Sequence, residues 1–206
     1  MDELILHFMN FLARNFGVIV TPILRLVSIL GEKGIVFLAI GFVLMLNKKT
    51  RWIGISIWIS LALGFVINSL FIKNIIMRER PYMSSNPDFY KYWEHVGAIK
   101  ETGYSMPSGH TLAASTCMMT LFLTCKKSEK KKYLILYFVT VSLMAFSRMY
   151  FMHHYFTDCL IGALIGVFMA CIGKIITKEI YKFCDKNKSN KICDFLLNFD
   201  FVGMND

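Results

Sequence analysis

Two histidines and one aspartate carry the reactive chemistry that this sequence suggests. His154 lies four residues before Asp158 at the start of an apolar segment. In a helix the two side chains share one face, so the carboxylate can hold the proton on one ring nitrogen. The other ring nitrogen is then free to attack an electrophile. His110 begins another apolar segment and is suited to protonate a leaving oxygen and then to activate water.

Cations and helix-start residues accompany these histidines. Lys73, Arg80 and Arg148 offer one point charge and two planar forks of N–H donors, which suit the non-bridging oxygens of a phosphoryl group. Ser108 and Gly109 open a predicted helix whose free backbone N–H groups also attract an anion. The combination predicts a phosphate-binding cradle that needs no metal.

The three short segments that supply these residues each adjoin a strongly apolar stretch. They comprise residues 73–81, 107–110 and 147–158. Apolar residues make up 55% of the 206 residues, the mean hydropathy is +0.50, and the apolar residues are concentrated in runs. The sequence therefore predicts an all-α membrane protein with one catalytic centre at one face of the membrane.

Five apolar stretches are interpreted as membrane-spanning helices, which need about 20 residues, or fewer where flanking residues reach the headgroups. They are residues 34–46, 52–72, 111–124, 133–146 and 155–176. Residues 4–30 are also apolar but include His7, Arg14, Arg25 and Pro22. This segment is expected either to be a kinked sixth span or to lie in the interface as an amphipathic helix. The predicted fold is a polytopic transmembrane helix bundle, with six helices in all.

No internal repeat or low-complexity linker divides the chain, so residues 1–206 are predicted to form a single membrane-embedded domain. Its parts are an N-terminal helical segment at 1–30, an extracytoplasmic loop at 82–106 and a cytoplasmic tail at 180–206. The apolar stretch 195–202 is expected to pack on the membrane surface or to be loose. The six cysteines form no C-x-x-C pair and are interpreted as reduced, apolar fillers.

Clusters of positive charge predict the orientation. Lys48, Lys49 and Arg51 lie in one connection, five lysines lie within residues 126–132, and six more lie within residues 174–191. Alternating spans place all three clusters on one side, which the distribution of Lys and Arg marks as cytoplasmic. The catalytic segments then face the extracytoplasmic side of the cell membrane, and the C-terminus is cytoplasmic. Topology and anionic lipid account for the net charge of +9, so no nucleic-acid partner is expected.

These residues resemble the three-part signature of the type 2 phosphatidic acid phosphatase superfamily of lipid phosphatases. The signature reads K-x6-R-P, then P-S-G-H, then S-R-x5-H-x3-D. Residues 73–81 (KNIIMRERP), 107–110 (PSGH) and 147–158 (SRMYFMHHYFTD) match it with no departure. The resemblance covers residues 30–180 and leaves the first thirty residues and the tail unassigned.

The resemblance implies a role for each matching residue. His154 attacks phosphorus to give a phosphohistidine, His110 is the general acid, and Asp158 orients His154. The residues implied in phosphate binding are Lys73, Arg80, Ser108, Gly109 and Arg148. The family works without a metal, so neither a metal nor another cofactor is expected.

Three other interpretations concern side chains near these segments. His153 matches neither the spacing of the signature nor the four-residue offset to Asp158, so it is not expected to be catalytic. Arg78 matches no position and is interpreted as an interfacial anchor. A zinc site built from His110, His154 and Asp158 is the metal alternative, which the three neighbouring cations disfavour.

A catalytic centre at the membrane edge favours a lipid whose phosphate lies at headgroup level. For a bacterial chain, the resemblance implies hydrolysis of undecaprenyl pyrophosphate to undecaprenyl phosphate as the leading reaction. The alternatives are phosphatidylglycerophosphate, phosphatidic acid or another lipid pyrophosphate. Residues 82–106 are interpreted as a specificity lid or as an aromatic belt at the interface. Their aromatic residues include Tyr82, Phe89, Tyr90, Tyr92 and Trp93, and the groups suited to a second phosphate are Lys91, His95 and Lys100.

Two other functional classes are weighed against the phosphatase. A lipid-phosphate transporter typically shows inverted repeats and charges near the membrane midplane, whereas the charges here gather at one edge. A catalytically silent sensor would need to lack His154, His110 or Asp158, and all three are present. The sequence therefore favours a metal-independent membrane enzyme over both.

Overall fold

The computed structural model describes residues 1–201, and every regular element in that part of the chain is helical. The long helices there are α1 (Asp2–Leu30), α2 (Ile35–Leu46), α3 (Arg51–Val66), α6 (Gly109–Thr124), α7 (Lys130–Tyr150) and α8 (Phe156–Lys186). The short ones are α4 (Lys73–Ile76), α5 (Pro87–His95) and α9 (Lys191–Asn198). The predicted all-α architecture is confirmed. Residues 202–206, which end the predicted tail and include Val202, lie outside the described residues.

Four segments in the described part of the chain are long and apolar enough to cross a membrane: Asp2–Leu30, Arg51–Met83, Lys127–Tyr150 and Phe156–Lys186. Helices α2 and α6 have only 12 and 16 residues. At about 1.5 Å per residue they are roughly 18 and 24 Å long, shorter than the roughly 30 Å hydrocarbon core. The structure therefore confirms a multi-pass helical membrane protein but not the predicted count of five spans.

Helix α6 packs against α3, α7 and α8 in the middle of the bundle. Glycines on α8 allow the closest approach: a Cβ atom added at Gly162 would lie 2.6 Å from the carbonyl oxygen of Ser108, and one at Gly166 would lie 2.6 Å from Cβ of Ser115. Such small residues let helix backbones approach each other in membranes. The starts of α6 and α8, which carry the predicted histidine segments, are thereby held side by side.

Both ends of α1 contact the same end of the bundle. Near its start, Asp2 accepts a hydrogen bond from the backbone N–H of Thr157 at 3.1 Å, beside the beginning of α8. Near its end, Ser28 accepts one from Arg148 at 2.6 Å, close to the end of α7. The helix continues through Pro22 without a break. Helix α1 therefore lies across one end of the bundle and does not run from end to end.

The predicted 82–106 loop is folded onto α1. Asn86 caps α5 by accepting from the backbone N–H of Asp88 at 3.1 Å. Phe89 of α5 is buried in a cluster that includes Leu6 and Tyr82. Tyr82 and Phe89 are thus core residues of the folded loop.

The turn after α3 directs the first motif toward the start of α8. Helix α3 continues through a π-helical turn, Ile67–Ile72, into α4. Met77 then adopts a left-handed conformation with φ of +49°, which is uncommon for a residue other than glycine. The chain consequently leaves the helix axis before Arg78 and Arg80.

At the other end of the bundle, the described part of the tail is docked. Arg51 is buried and donates hydrogen bonds to the carbonyl oxygens of Phe195 and Leu196 at 3.3 and 3.2 Å. The backbone N–H of Phe201 donates to Leu46 at 3.2 Å. Arg51 therefore attaches α9 to the bundle, and residues 195–201 are held against it by these hydrogen bonds.

Candidate active site

His154 lies in the short connection between α7 and α8, with 1% of its surface exposed. Its Nδ1 atom is 3.7 Å from Oδ2 of Asp158, slightly beyond hydrogen-bond distance. Its Nε2 atom is 3.5 Å from Nη1 of Arg80. One ring nitrogen therefore faces the carboxylate and the other faces a cation of the predicted cradle.

The neighbouring His153 is turned toward the 82–106 loop. Its Nε2 atom donates to the carbonyl oxygen of Ile99 at 2.8 Å, and its Nδ1 atom is 3.6 Å from Oε1 of Glu101. The two adjacent imidazoles therefore have different surroundings, and of the two only His154 places a ring nitrogen, Nδ1, beside Asp158.

Asp158 is fully buried and its carboxylate is held on several sides. Its Oδ2 atom accepts from the Ser105 hydroxyl at 2.5 Å and from the backbone N–H of Tyr155 at 2.8 Å. Its Oδ1 atom accepts from Arg78 at 2.6 Å. Sequence reasoning missed Ser105, because a serine five residues before His110 carries no signal without its partner across the fold.

Arg78 is not the interfacial anchor that the sequence suggested. It is half-buried and forms salt bridges with Asp2 at 2.8 Å and Asp158 at 2.6 Å. Its guanidinium carbon lies 3.8 Å from the centre of the Tyr155 ring. After the left-handed turn at Met77, the side chain reaches the start of α8. The signal available in the sequence was a second arginine only two residues before Arg80.

Arg80 and Arg148 are almost fully buried, with exposed fractions of 2% and 1%. Both pair with Glu101: Nη1 of Arg80 is 2.9 Å from Oε2, and Nη2 of Arg148 contacts Oε1. Arg80 also donates to carbonyl oxygens of the same loop, at Gly103 and Thr102. Buried cations of this kind need such partners. Glu101 was not predicted as a site residue, since an acidic residue in a loop is usually solvated.

The charges of this cluster shift the pKa values of its members. Burial alone would raise the pKa of Glu101, but Arg148, His153 and Arg80 outweigh burial and hold that pKa well below its ordinary value. Burial, reinforced by Arg148, lowers the pKa of His153 to about 4. Burial, with Arg148 and Arg80, also lowers the pKa of His154 well below its usual range. His154 is therefore neutral near pH 7 and keeps a free lone pair.

The start of α6 supplies the second motif. Ser108 caps the helix, with its hydroxyl oxygen accepting from the backbone N–H of Thr111 at 3.5 Å. The backbone N–H of Ser108 donates to the carbonyl oxygen of Asp158 at 3.0 Å, which ties α6 to the start of α8. The His110 ring lies against Gly31, where an added Cβ atom would be 3.2 Å from its Cδ2 atom.

A cavity of about 890 Å³ connects most of the predicted residues. Those that line it are Lys73, Arg80, Gly109, His110, Arg148 and His154. Ser108 and Asp158 are fully buried and do not line it. Lys73 reaches the cavity from α4 and donates to the carbonyl oxygen of Tyr104 at 2.9 Å.

Apolar side chains of α2 and α3 line part of the same cavity. They are Leu38, Trp58, Leu61 and Phe65. A pocket that joins a few charged groups to a hydrophobic wall suits an amphiphilic ligand. Within residues 1–201, no group of three or more His, Cys, Asp or Glu side chains is placed to hold a metal ion.

The chain has relatives among known proteins. The family model described as PAP2 superfamily matches residues 35–182. The chain is 33% identical over 131 residues to an undecaprenyl-diphosphatase of Sulfolobus acidocaldarius, covering 64% of this chain and 58% of that protein. It is 28% identical over 158 residues to dolichyldiphosphatase 1 of Homo sapiens, covering 70% of this chain and 61% of that protein. The chain thus spans about three fifths of the length of these curated relatives.

The fold also has a counterpart among solved structures. A crystal structure of a transmembrane PAP2 type phosphatidylglycerolphosphate phosphatase from Bacillus subtilis superimposes with a TM-score of 0.61. The match covers 86% of this chain and 94% of that chain at 20% sequence identity. At this identity, the likeness establishes a common fold and nothing finer.

Proposed function

The chain belongs to the PAP2 superfamily, and from that premise we propose that it is an integral-membrane lipid phosphatase that works through a phosphohistidine. The observation that carries the proposal is one cavity in which Nε2 of His154 faces Arg80 and apolar side chains of α2 and α3 form part of the wall. A phosphate at the charged groups and a lipid tail against the apolar wall would occupy this cavity together. Neither a metal nor another cofactor takes part in the proposed reaction.

The first step transfers the phosphoryl group to the enzyme. Nε2 of His154 attacks phosphorus, the bond to the leaving oxygen breaks, and His110 gives that oxygen a proton. Lys73, Arg80 and Arg148 bind the non-bridging oxygens, and their positive charge stabilises the developing negative charge. Ser108 and Gly109 add uncharged hydrogen-bond donors at the start of α6. Asp158 holds the Nδ1 proton of His154 and stabilises the positive charge on the phosphorylated ring.

The second step releases inorganic phosphate. Deprotonated His110 takes a proton from a water molecule, whose oxygen attacks the phosphorus of the phosphohistidine. The bond from phosphorus to Nε2 breaks, and its electron pair restores neutral His154. The cycle consumes one water and returns both histidines to their starting protonation states.

The proposed substrate is a polyprenyl diphosphate, with conversion of undecaprenyl diphosphate to undecaprenyl phosphate as the leading case. Attack at the terminal phosphorus would make the polyprenyl phosphate the leaving group. Support comes from two relatives named as diphosphatases of polyprenyl lipids. Lys33 and Lys100 at the same cavity add positive charge suited to a second phosphate.

The topology that we propose treats the chain as a single domain with five spans, formed by α2, α3 with α4, α6, α7 and α8. Helix α1 lies in the extracytoplasmic interface, because both of its ends contact the end of the bundle that holds the cavity. The basic clusters at 48–51, 126–132 and 174–191 then lie on the cytoplasmic side. The catalytic centre faces outward from the cell membrane, and the C-terminus is cytoplasmic.

Phosphate release by the purified protein in detergent with excess EDTA tests this function. Undecaprenyl diphosphate, phosphatidylglycerophosphate and phosphatidic acid are compared at equal concentrations, with His154→Ala as the matched blank. We expect EDTA-resistant release that is fastest from undecaprenyl diphosphate. Fastest release from another lipid would change the substrate, whereas no release from any lipid, or release abolished by EDTA, would refute the metal-free phosphatase.

A further inference from the structure

Arg78 lies outside the family signature, yet it is the only hydrogen-bond donor to Oδ1 of Asp158 among the described contacts. The other carboxylate oxygen, Oδ2, faces Nδ1 of His154 and already accepts from Ser105 and from the backbone N–H of Tyr155. A carboxylate held at both oxygens cannot rotate freely. Arg78 therefore fixes the orientation of the group that faces the proposed nucleophile.

Arg78 is itself held by α1. Its Nη2 atom is 2.8 Å from Oδ2 of Asp2, and its Nη1 atom donates to the Thr157 hydroxyl at 2.7 Å. The same Asp2 carboxylate accepts from the hydroxyl and the backbone N–H of Thr157 at 2.6 and 3.1 Å. The Tyr155 ring lies against the guanidinium. One arginine thus joins the first turn of α1 to the first turn of α8.

We propose that Arg78 is a positioning residue for His154, acting through Asp158, and that Asp2 anchors Arg78 so that α1 is part of the catalytic apparatus. The inference rests on the proposed function, in which His154 is the nucleophile. A guanidinium can bond Asp2, Thr157 and Asp158 at once because its donors form a rigid planar fork. An ammonium group at the same position lacks that geometry.

A purely structural role for Arg78 makes a different prediction. Asp158 is fully buried, and a buried carboxylate without a counter-charge destabilises a fold. If neutralisation were the whole role, variants would yield less folded protein, and each folded molecule would keep its normal turnover. Positioning instead predicts slower turnover by folded molecules with little change in KM, because Arg78 does not line the cavity.

The experiment measures kcat and KM per folded protein for Arg78→Met, Arg78→Lys and Asp2→Asn. We expect Arg78→Met to lower kcat by about 10- to 100-fold, as for other residues that orient a reacting group, with KM unchanged. Arg78→Lys should recover part of the loss. Asp2→Asn should lower kcat less, and the double variant Arg78→Met with Asp2→Asn should be no slower than Arg78→Met alone, because Asp2 acts through Arg78.

Two matched controls separate positioning from general loosening. His7→Leu removes the 3.0 Å contact with Tyr92 that also attaches α1 to the 82–106 loop. Lys182→Met removes an exposed salt bridge to Glu179 near the end of α8. Both variants should keep the wild-type kcat. Rescue of Arg78→Ala, but not of the wild type or Lys182→Met, by low concentrations of added guanidinium would confirm that the missing group is the guanidinium itself.

Nitrogen-15 NMR of the histidine rings supplies a readout that needs no substrate. We expect His154 to carry its proton on Nδ1 in the wild type and to populate both tautomers in Arg78→Met. Wild-type kcat and an unchanged tautomer in folded Arg78→Met would overturn the positioning role. A wild-type protein that hydrolyses no lipid would instead refute the proposed function, and the tautomer comparison would still test the link from Arg78 to His154. If Arg78→Met fails to fold, Arg78→Lys and Asp2→Asn provide the same comparisons.

Discussion

At the scale of single residues, the site is organised by pairing between buried charges. Arg80 and Arg148 share the carboxylate of Glu101, whereas Arg78 serves Asp158. Glu101 thus pairs with two cations of the proposed phosphate cradle, and Arg78 holds the carboxylate that faces His154. Cradle and nucleophile are therefore supported by separate ion pairs, which can be altered one at a time.

The strongest prediction at this scale concerns the two adjacent histidines. His154→Ala should lower kcat by more than about 10⁴-fold, as for loss of other covalent nucleophiles, while expression and folding persist. His153→Gln is the matched control, because His153 donates to a loop carbonyl and lacks the contact with Asp158. Phosphate release from the lipid substrate measures both variants. Near-normal turnover by His154→Ala would refute the nucleophile assignment.

Glu101 accepts hydrogen bonds from Arg80 and Arg148. A bound phosphoryl group would need the same N–H donors. Substrate must therefore compete with this carboxylate. Glu101→Gln should bind inorganic phosphate several-fold more tightly. A neutral amide makes weaker hydrogen bonds to the two arginines than a carboxylate does, so it competes less with phosphate. The inhibition constant of phosphate against lipid hydrolysis measures the effect, with Glu94→Gln as an exposed control in the same loop. Weaker phosphate inhibition in Glu101→Gln would show that Glu101 supports the cradle and does not compete for it.

The same carboxylate predicts how stability depends on pH. Its pKa in the folded protein is lower than the ordinary value of 4.5, so its ion pairs contribute stability that is fully present above about pH 4.5 and is lost as the pH falls below it. The thermal midpoint of the wild type should decrease from pH 5 to pH 3. Glu101→Gln should show a smaller decrease over that window. Equal slopes for the two proteins would contradict this contribution.

At the scale of elements, glycines on α8 decide how closely α6 can approach. A side chain at Gly162 would meet the backbone oxygen of Ser108 at 2.6 Å, and this oxygen belongs to the rigid start of α6. His110 lies in the first turn of α6 and His154 lies two residues before α8, so the spacing of these two proposed catalytic residues depends on this contact. We therefore expect activity to depend on the packing between the two helices.

Gly162→Val should separate the starts of α6 and α8. We expect a loss of about 1–3 kcal/mol in unfolding free energy, typical of overpacking, together with loss of activity in the molecules that remain folded. Gly17→Ala on α1 is the matched control, since its added Cβ atom would meet its nearest neighbour, Oγ1 of Thr21, at 3.5 Å. Thermal unfolding in detergent and phosphate release measure both variants. Full activity in Gly162→Val would show that the helix spacing is not critical.

At the scale of the whole molecule, the cavity and the basic clusters occupy opposite ends of the bundle. Arg51 fastens α9 at the basic end, and α1 lies across the cavity end. The molecule thus has two distinct faces. This polarity makes the proposed topology testable in intact cells.

The topology can be tested by replacing the native cysteines, adding one cysteine at a chosen position, and labelling intact cells with a membrane-impermeant thiol reagent. Lys91→Cys, on the exposed side of α5, should be labelled from outside intact cells. Lys188→Cys in the tail should be labelled only after the cells are opened. External labelling at residue 188 would overturn the proposed orientation.

The sequence by itself determined the all-helical class, the membrane setting and the family, because these depend on apolar runs and on residues at short, regular spacing. The four-residue offset of His154 and Asp158 joined them in one motif, but the expected shared helix face is wrong, because α8 begins at Phe156 and His154 lies before it. Their approach to 3.7 Å was decided by the fold of the connection. The partner of Arg78 cannot be identified from spacing along the chain, so the sequence suggested an interfacial anchor. In the fold, Arg78 is half-buried and pairs with Asp158.

Only the tertiary structure decided the partners of those residues. Asp158 meets Arg78 and Ser105, which are 80 and 53 positions away, and Arg148 meets Glu101, 47 positions away. It also decided that α1 lies across the bundle, since the length and hydropathy of that segment suit a span equally well. The physical reason is the same in each case: periodicity and spacing record contacts within one helix, whereas these contacts form only when separate helices pack together.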